Sequence, residues 1–222
     1  PVCRNAKEKG GREIRTRSQI LIDDCLLLDF PMDTYMHMLA HKLDLSKIDS
    51  VLITHAHMDH CYPQEFILHG APFAHKMTRP VVTVYGNSTV EKTFKEYTRA
   101  EIRPDIAPTA PVSAIKPYDN FDTVSGYNVT ALPAKHTVDE DCLIYSISKN
   151  GKTVLLFNDS GILPEKAYDR MAETGSRFDL VSFDCTYGHA RHGEGRHMGT
   201  LDAADEREKM AARGLVHADT KY

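Results

Sequence analysis

The stretch from Ser50 to His60 reads SVLITHAHMDH, an apolar strand pattern followed at once by metal-binding side chains. Residues 50–54 form an uninterrupted run rich in β-branched residues, which is typical of a short buried strand. Three histidines and one aspartate then fall within six residues. Because imidazole and carboxylate together bind zinc, manganese or iron, the stretch predicts a metal-binding loop at the end of a strand.

The spacing of His55, His57, Asp59 and His60 favours a loop wrapped around two ions. Positions i, i+2, i+4 and i+5 share neither one face of a helix nor one face of a strand. Four ligands this crowded would strain a single tetrahedral site, so two ions are the more natural number. The alternative is a histidine-rich surface loop, since the chain has 12 histidines. The predicted strand before the motif and the predicted helix after it favour the metal site.

Length and composition predict one compact, enzyme-sized domain over residues 1–222. With 222 residues, 41% of them hydrophobic, the chain can bury a sizeable core. A net charge of −4 gives no general attraction to nucleic acid or to an anionic membrane. No apolar run is long enough to span a bilayer, and no signal-peptide pattern is present. Five widely spaced cysteines favour reduced thiols, and hence a cytoplasmic protein.

Hydrophobic periodicity predicts strands that alternate with helices. Tight turns are expected at Asp23-Asp24 and Asn150-Gly151. The predicted strands are 19–23, 25–29, 50–54, 81–85, 127–132, 143–148, 153–157 and 180–183.

Capping residues and amphipathic patterns predict the helices. Asn87 or Ser88 would cap one helix, and Thr200 would cap the last, which Gly214 closes. The stretch 103–111 is expected to be a loop or an edge. The predicted helices are 33–43, with Tyr35, Met36, Leu39 and Leu43 on one apolar stripe, then 64–68, 89–100, a helix from Pro164 to Gly175, and 201–213.

The His-x-His-x-Asp-His motif after an apolar strand resembles the signature of the metallo-β-lactamase-fold hydrolases. This resemblance implies an α/β (α+β) fold, a four-layer αββα sandwich. Within that superfamily, further stretches resemble the phosphoribosyl 1,2-cyclic phosphate phosphodiesterases of the carbon–phosphorus lyase pathway and their relatives. These stretches are residues 12–18, 54–60, 158–161, 163–166, 184–186 and 196–199.

Two further candidate ligands, His136 and Asp159, each follow a predicted strand. From the residues alone, His136 could be a partly exposed loop histidine and Asp159 a turn residue. The resemblance implies that both bind metal, with Asp159 bridging two ions. The implied ligand set is His55, His57, Asp59, His60, His136 and Asp159.

Two ions about 3.5–4 Å apart would clamp an in-line displacement and turn a shared, bridging water into hydroxide at a pKa near 7. A phosphodiester matches this chemistry best. By resemblance, His197 is the general acid that protonates the leaving oxygen, and Asp59 belongs to the catalytic centre. Asp184 is expected to accept a hydrogen bond from a ligand histidine, although it could be a strand-end turn residue. His189 and His192 are expected to be solvated loop residues.

Two arginines and two cysteines are further candidates for binding or structural roles. Arg15 and Arg17 could share one face and bind phosphate, or could be an exposed edge. Cys61 is expected to be a small buried residue behind the site. Relatives carry cysteines before the equivalent of Cys3, which implies a structural zinc site to which Cys3 would belong.

The resemblance also implies that the chain as given lacks the terminal ends of this fold. Relatives have a final strand that ends in a histidine, so we expect one ligand of the second ion and most of the structural zinc site to be missing here. His217 precedes that expected strand and is not expected to substitute.

The sequence therefore predicts a metal-dependent hydrolase of small cyclic phosphodiesters. Zinc or manganese is expected, while nickel and iron also suit the ligands. The alternatives are an RNA-processing nuclease of the same fold, a lactone or thioester hydrolase, and a non-catalytic metal-binding relative in cofactor biosynthesis. A homodimer is compatible with the sequence. Nucleic acid is the less favoured partner, since no clear basic surface is present.

Overall fold

Two β-sheets face each other in the computed structural model, which describes residues 1–99, 101, 109–193 and 195–222. Short 3₁₀ turns span Gly11–Glu13, Leu45–Lys47 and Pro63–Leu68. The helices are α1 (Val2–Lys9), α2 (Thr34–His41), α3 (Ser88–Thr98), α4 (Glu165–Glu173) and α5 (Thr200–Ala212).

The first sheet has the strand order β1-β2-β3-β4-β5, in which only β1 is antiparallel to its neighbour. Its strands are β1 (Ile20–Ile22), β2 (Leu26–Leu28), β3 (Ser50–Leu52), β4 (Thr83–Gly86) and β5 (Val112–Ala114).

The second sheet has the order β11-β10-β9-β8-β7-β6. Strand β10 is parallel to β9 and β11, and the pairs from β9 to β6 are antiparallel. Its strands are β6 (Asn120–Asp122), β7 (Asn128–Pro133), β8 (Leu143–Lys149), β9 (Lys152–Leu156), β10 (Phe178–Ser182) and β11 (Val216–Lys221).

Three apolar clusters fill the three spaces between four layers. Side chains alternate along each strand, so neighbouring residues enter different clusters. Leu26 and Leu28 pack between the sheets, whereas Leu27 packs on the outer face with α3. Ile144 packs on the outer face of the second sheet, with α4 and α5, and Tyr145 between the sheets. The predicted αββα sandwich is confirmed.

Most predicted strands and turns are confirmed to within a few residues. Asp23 and Asp24 both have positive φ in the turn between β1 and β2, and Asn150 and Gly151 do so between β8 and β9. Asn87, rather than Ser88, caps α3 by accepting hydrogen bonds from the following turn. Residues 103–108 of the predicted loop, and the predicted helix end at residue 100, lie outside the described residues.

The predicted orientation of α2 is wrong. Tyr35, Met36 and Leu39 of the predicted stripe are exposed, while Thr34 and His37 form the buried face of the helix. Leu43, the fourth residue of that stripe, lies beyond the end of α2 and is buried. The reason is a polar anchor, because the two ring nitrogens of His37 contact the side chains of Gln19 at 2.7 Å and Thr16 at 2.9 Å. These bonds fix the helix with its apolar stripe outward.

The predicted cap at Thr200 is also wrong, since Gly199 is the N-cap of α5. The Asp202 carboxylate accepts the Gly199 N–H at 3.0 Å. A Cβ atom at Gly199 would lie 2.1 Å from the Ala190 carbonyl oxygen, so close packing requires glycine here.

Four elements have no counterpart in the predictions or only a partial one: α1, β5, β6 and β11. Strands β5 and β6 are three residues each and contain serine, asparagine or aspartate, so their own β-propensity is low. Pairing with β4 and β7 holds them in place. In the described part of the chain, no helix is both long and apolar enough to cross a membrane.

The topology brings one end of several strands to a single edge of the sandwich. Strands β2 and β3 are parallel, so their carboxyl ends meet. In the second sheet β7, β9 and β10 run in one direction. The two sheets join at this edge, where the Leu143 N–H donates to the Thr54 carbonyl at 2.8 Å. The loops after these strands therefore share one site.

Tyr145 links the sheets near this edge and provides a test of the packing. Its buried hydroxyl donates to the Ile53 carbonyl at 2.8 Å. We expect Tyr145→Phe to lower the free energy of unfolding by about 1–2 kcal/mol, because a buried carbonyl loses its partner. Urea denaturation measures the change. Tyr97→Phe, at an exposed position of α3, is the matched control, and an equal loss in both variants would contradict the role of the Tyr145 bond.

Candidate metal centre

Ligand atoms from six side chains converge at this edge of the sandwich. They form three overlapping groups, and within each group the ligand atoms lie within 4.8 Å of one another. Among the described residues, the groups are His55 with His57 and His136, His55 with His60 and Asp159, and His136 with Asp159 and His197.

The loop after β3 is folded by its own backbone. The N–H groups of His60 and Cys61 both donate to the His57 carbonyl, at 2.9 and 2.8 Å, which closes the loop into a turn. The Thr54 hydroxyl contacts Nδ1 of His55 at 2.9 Å. Nε2 of His55 is therefore left to face the other ligands.

Asp29, at the end of β2, was missed by the sequence analysis and is the buried support of this loop. One carboxylate oxygen accepts the N–H and the hydroxyl of Thr54, both at 2.9 Å. The other accepts Nδ1 of His60 at 2.7 Å and the side-chain amide of Asn158 at 3.0 Å. Such a bond fixes the ring orientation of a ligand histidine. The available signal was an aspartate directly after the apolar run Leu26 to Leu28.

His60 and Asp159 form a close pair of opposite charge within the cluster. Nε2 of His60 lies 3.2 Å from an Asp159 carboxylate oxygen. Burial alone would lower the pKa of His60, but hydrogen bonds to Asp159 and Asp29 outweigh it and raise the pKa to about 10. Burial would raise the pKa of Asp159, but the hydrogen bond and charge of His60 lower it to about 2.

Two other histidines of the cluster, His55 and His136, have lowered pKa values. Burial, followed by the charges of nearby imidazoles, lowers the pKa of His55 to about 2. Burial likewise lowers the pKa of His136. Neutral imidazole nitrogens are the form that binds a metal ion.

The donor set and its spacing fit divalent ions. Nδ1 of His57 lies 3.0 Å from Nε2 of His55 and 3.2 Å from Nε2 of His136. Nitrogens about 2.0–2.1 Å from one tetrahedral zinc ion would stand about 3.3 Å apart, so the observed spacing is close to that of a common ligand shell. A carboxylate oxygen of Asp159 lies 3.7 Å from Nε2 of His136. Asp159 is therefore close to His136 as well as to His55 and His60.

Asp184 has a histidine partner, and that partner is His197. The Asp184 carboxylate accepts Nδ1–H of His197 at 2.7 Å, and it also accepts the N–H groups of Ser160 and Thr186. The ring of His197 packs edge-on against that of His136, with centroids 4.8 Å apart. Nε2 is therefore the ring nitrogen of His197 that faces the cluster.

Two predicted residues lie at the margin of the centre. Asp59 is outside the three groups, although its carboxylate lies 3.7 Å from Nε2 of His60 and is half exposed. Cys61 is buried behind the loop, as predicted, and bridges to Phe30.

Other predicted residues lie apart from the cluster. Arg17 pairs with Asp33 at 3.0 Å, and Arg15 is exposed. Cys3 is exposed on α1. His217 lies on β11, 3.8 Å from Asp179, and belongs to none of the three groups. His189 and His192 are exposed, with His192 stacked on Tyr187.

Comparison with known proteins identifies the superfamily. Residues 20–221 match the family described as a beta-lactamase superfamily domain. Endoribonuclease YSH1 of Yarrowia lipolytica (strain CLIB 122 / E 150) is 27% identical over 185 residues, which are 80% of this chain and 21% of that protein. The chain thus spans about a fifth of the length of this curated relative.

Several solved structures share the fold. A diphosphatase of the PhnP family has a TM-score of 0.65 and 18% identity, with 95% of this chain and 74% of that chain covered. Human tRNase Z, short form, has a TM-score of 0.65 and 15% identity, covering 91% and 83%. The metallo-β-lactamase fold protein YhfI of Bacillus subtilis has a TM-score of 0.61 and 20% identity, covering 85% and 72%.

The family match covers nearly the whole chain, and the sandwich gathers histidine and aspartate ligands at one edge. Divalent metal binding is what this fold implies for such a cluster. The chain belongs to the metallo-β-lactamase superfamily, a fold family of metal-dependent hydrolases.

Proposed function

We propose that the protein is a phosphodiesterase that opens small cyclic phosphodiesters with the help of two divalent ions, zinc or manganese. The observation that carries the proposal is that His197, held by Asp184, lies within the cluster, in one group with His136 and Asp159. A proton donor held by a carboxylate, next to a centre that binds divalent ions, suits the departure of an alkoxide from phosphorus.

We assign the candidate ligands to two sets that share Asp159. His55, His57 and His136 would hold one ion. His60 would hold the other, together with Asp59, which lies outside the three groups at 3.7 Å from Nε2 of His60. Bound ions would polarise a phosphoryl oxygen and lower the pKa of bound water toward about 7. Asp29 would keep the ring of His60 in place without facing the substrate, because it is fully buried.

His197 would act on the leaving group. Its Nδ1–H is held by Asp184, so Nε2 is the atom that can hold a proton and release it to the departing oxygen. Because Asp184 also accepts two backbone N–H groups, the direction of the His197 ring is fixed before substrate binds.

Three observations support a small cyclic substrate. The stretches that surround the site residues resemble those of cyclic phosphate phosphodiesterases, and a PhnP-family diphosphatase shares the fold. A net charge of −4 gives no general attraction to a polyanion.

An RNA nuclease is the second candidate. It is favoured by the 27% identity to an endoribonuclease, whose activity belongs to a protein about five times longer than the matched region. The two candidates share the same ligand chemistry and differ in the substrate that the surroundings accept.

Hydrolysis by the zinc- or manganese-loaded protein distinguishes these candidates. The panel consists of a ribose cyclic phosphate, an activated aryl diester and a short RNA. We expect the highest kcat/KM for the ribose cyclic phosphate. Preferential RNA cleavage would favour the nuclease instead. Binding of two ions without turnover of any of the three would overturn the proposal and direct attention to lactones, thioesters or a non-catalytic role.

Metal binding should depend on His57. We expect His57→Ala to lose bound metal and nearly all hydrolysis, because its ring nitrogen stands between those of His55 and His136. Elemental analysis after dialysis measures the metal, and the panel above measures hydrolysis. His217→Ala, outside the cluster, should keep both properties. Retention of metal and activity in His57→Ala would refute the assigned ligand role.

His197 should affect the leaving group rather than metal retention. We expect His197→Ala to keep its metal content while kcat for diesters with poor leaving groups falls by about 10²–10⁴-fold, the usual contribution of a general acid. Diesters with activated aryl leaving groups need no proton and should lose far less. Equal losses for both substrates would assign His197 to substrate positioning, and loss of metal would assign it to the ligand set.

A further inference from the structure

Glu140 makes contacts that connect the two loops bearing the ligand histidines. It lies in the acidic run Asp139 to Asp141, between His136 and strand β8. Its Oε1 accepts the backbone N–H of Ala56 at 2.8 Å. Ala56 lies between His55 and His57. The loop that follows His136 therefore holds the backbone between these two histidines.

The same oxygen of Glu140 has a second, rigid partner. It accepts the side-chain amide of Asn87 at 2.8 Å. Asn87 is buried and its own side-chain oxygen caps α3. Its amide also donates to the carbonyl of Asp141 at 3.0 Å. Asn87 thereby holds Glu140 at the junction of β4 and α3, and the same Glu140 oxygen contacts the loop that carries His55 and His57.

These bonds cross between the two sheets. Ala56 follows β3 of the first sheet, and Glu140 lies between β7 and β8 of the second. His57 is exposed, yet its Nδ1 stands 3.2 Å from Nε2 of His136. Ala56 adjoins His57, so the hydrogen bond from the Ala56 N–H to Glu140 restrains the part of the loop that carries this exposed histidine.

We propose that Glu140 is a positioning residue that sets the spacing between His57 and His136, and thereby the affinity for the ion that they share. Its hydrogen bonds to described residues go to Ala56 and Asn87, and it acts through the backbone of Ala56. The proposal rests on the metal-binding part of the proposed function and is independent of the substrate.

Three substitutions separate the geometry of Glu140 from its charge. Glu140→Gln keeps the accepting oxygen and loses the charge, whereas Glu140→Asp keeps the charge and is one methylene too short. Glu140→Ala loses both. Asp139→Asn, at the exposed neighbouring position, is the charge-matched control.

Competition with a chromophoric chelator measures the zinc affinity, first of the wild-type protein and then of each variant. Removing an outer partner of a metal ligand costs about 10–100-fold in affinity, and we expect that loss for Glu140→Ala and Glu140→Asp. Glu140→Gln should stay within about threefold of the wild type, and Asp139→Asn should be unchanged. The unfolding midpoint of each metal-free variant shows whether it is folded.

The outcomes separate the two proposals. A wild-type protein that binds no zinc would refute the metal centre itself. A wild type that binds zinc, with Glu140→Ala binding equally well, would overturn only the role of Glu140. Losses in Glu140→Gln as large as those in Glu140→Ala would show that charge, rather than position, is what Glu140 supplies. If Glu140→Ala is unstable without metal, the contrast between the Gln and Asp variants decides.

Discussion

The buried carboxylate of Asp29 is the interaction on which the metal centre depends. It is fully inaccessible, and a buried charge is tolerated only when hydrogen bonds satisfy it. Its partners come from the metal loop, through Thr54 and His60, and from the second sheet, through Asn158. Asn158 precedes Asp159, so one carboxylate places ligands from both sheets relative to each other. Leaving any of these buried polar groups without a hydrogen-bond partner would cost free energy, and this cost keeps the arrangement in one geometry.

Strand direction explains why the ligands lie at one edge of the sandwich, and close backbone packing explains why His197 joins them. A Cβ atom at Gly161 would lie 2.0 Å from the Gly195 carbonyl oxygen, so the loop before His197 lies directly against the loop after Asp159. The Asp184 carboxylate fixes the His197 ring through a hydrogen bond, and the same carboxylate accepts the backbone N–H of Ser160. His197, the proposed proton donor, and Asp159, the proposed shared ligand, are thus carried by backbone segments that lie against each other.

The candidate metal centre offers chemistry that more than one hydrolytic reaction can use. Proteins named as a diphosphatase, a tRNase and an endoribonuclease all resemble this chain. A centre of histidines and aspartates supplies the same electrostatic help to each reaction. Substrate choice must therefore come from groups outside the cluster, which is why the proposed function is tested with substrates that differ in size and in leaving group.

Local patterns predicted the metal-binding loop and most of the strands, and the resemblance to the superfamily added the sandwich and the candidate ligands His136 and Asp159. An apolar strand followed by His55, His57 and His60 predicts a metal-binding loop from only eleven residues of sequence. The alternation of side chains along the strands indicates which residues lie on each buried face. The tertiary structure alone decided the role of Asp29, the selection of Glu140 from three adjacent acids, the pairing of Asp184 with His197 and the outward stripe of α2. Each depends on a hydrogen bond between segments distant in sequence, such as Asp29 and Asn158, which are 129 positions apart. Residue type and local spacing do not encode such contacts, because the packing of the two sheets determines which polar groups meet.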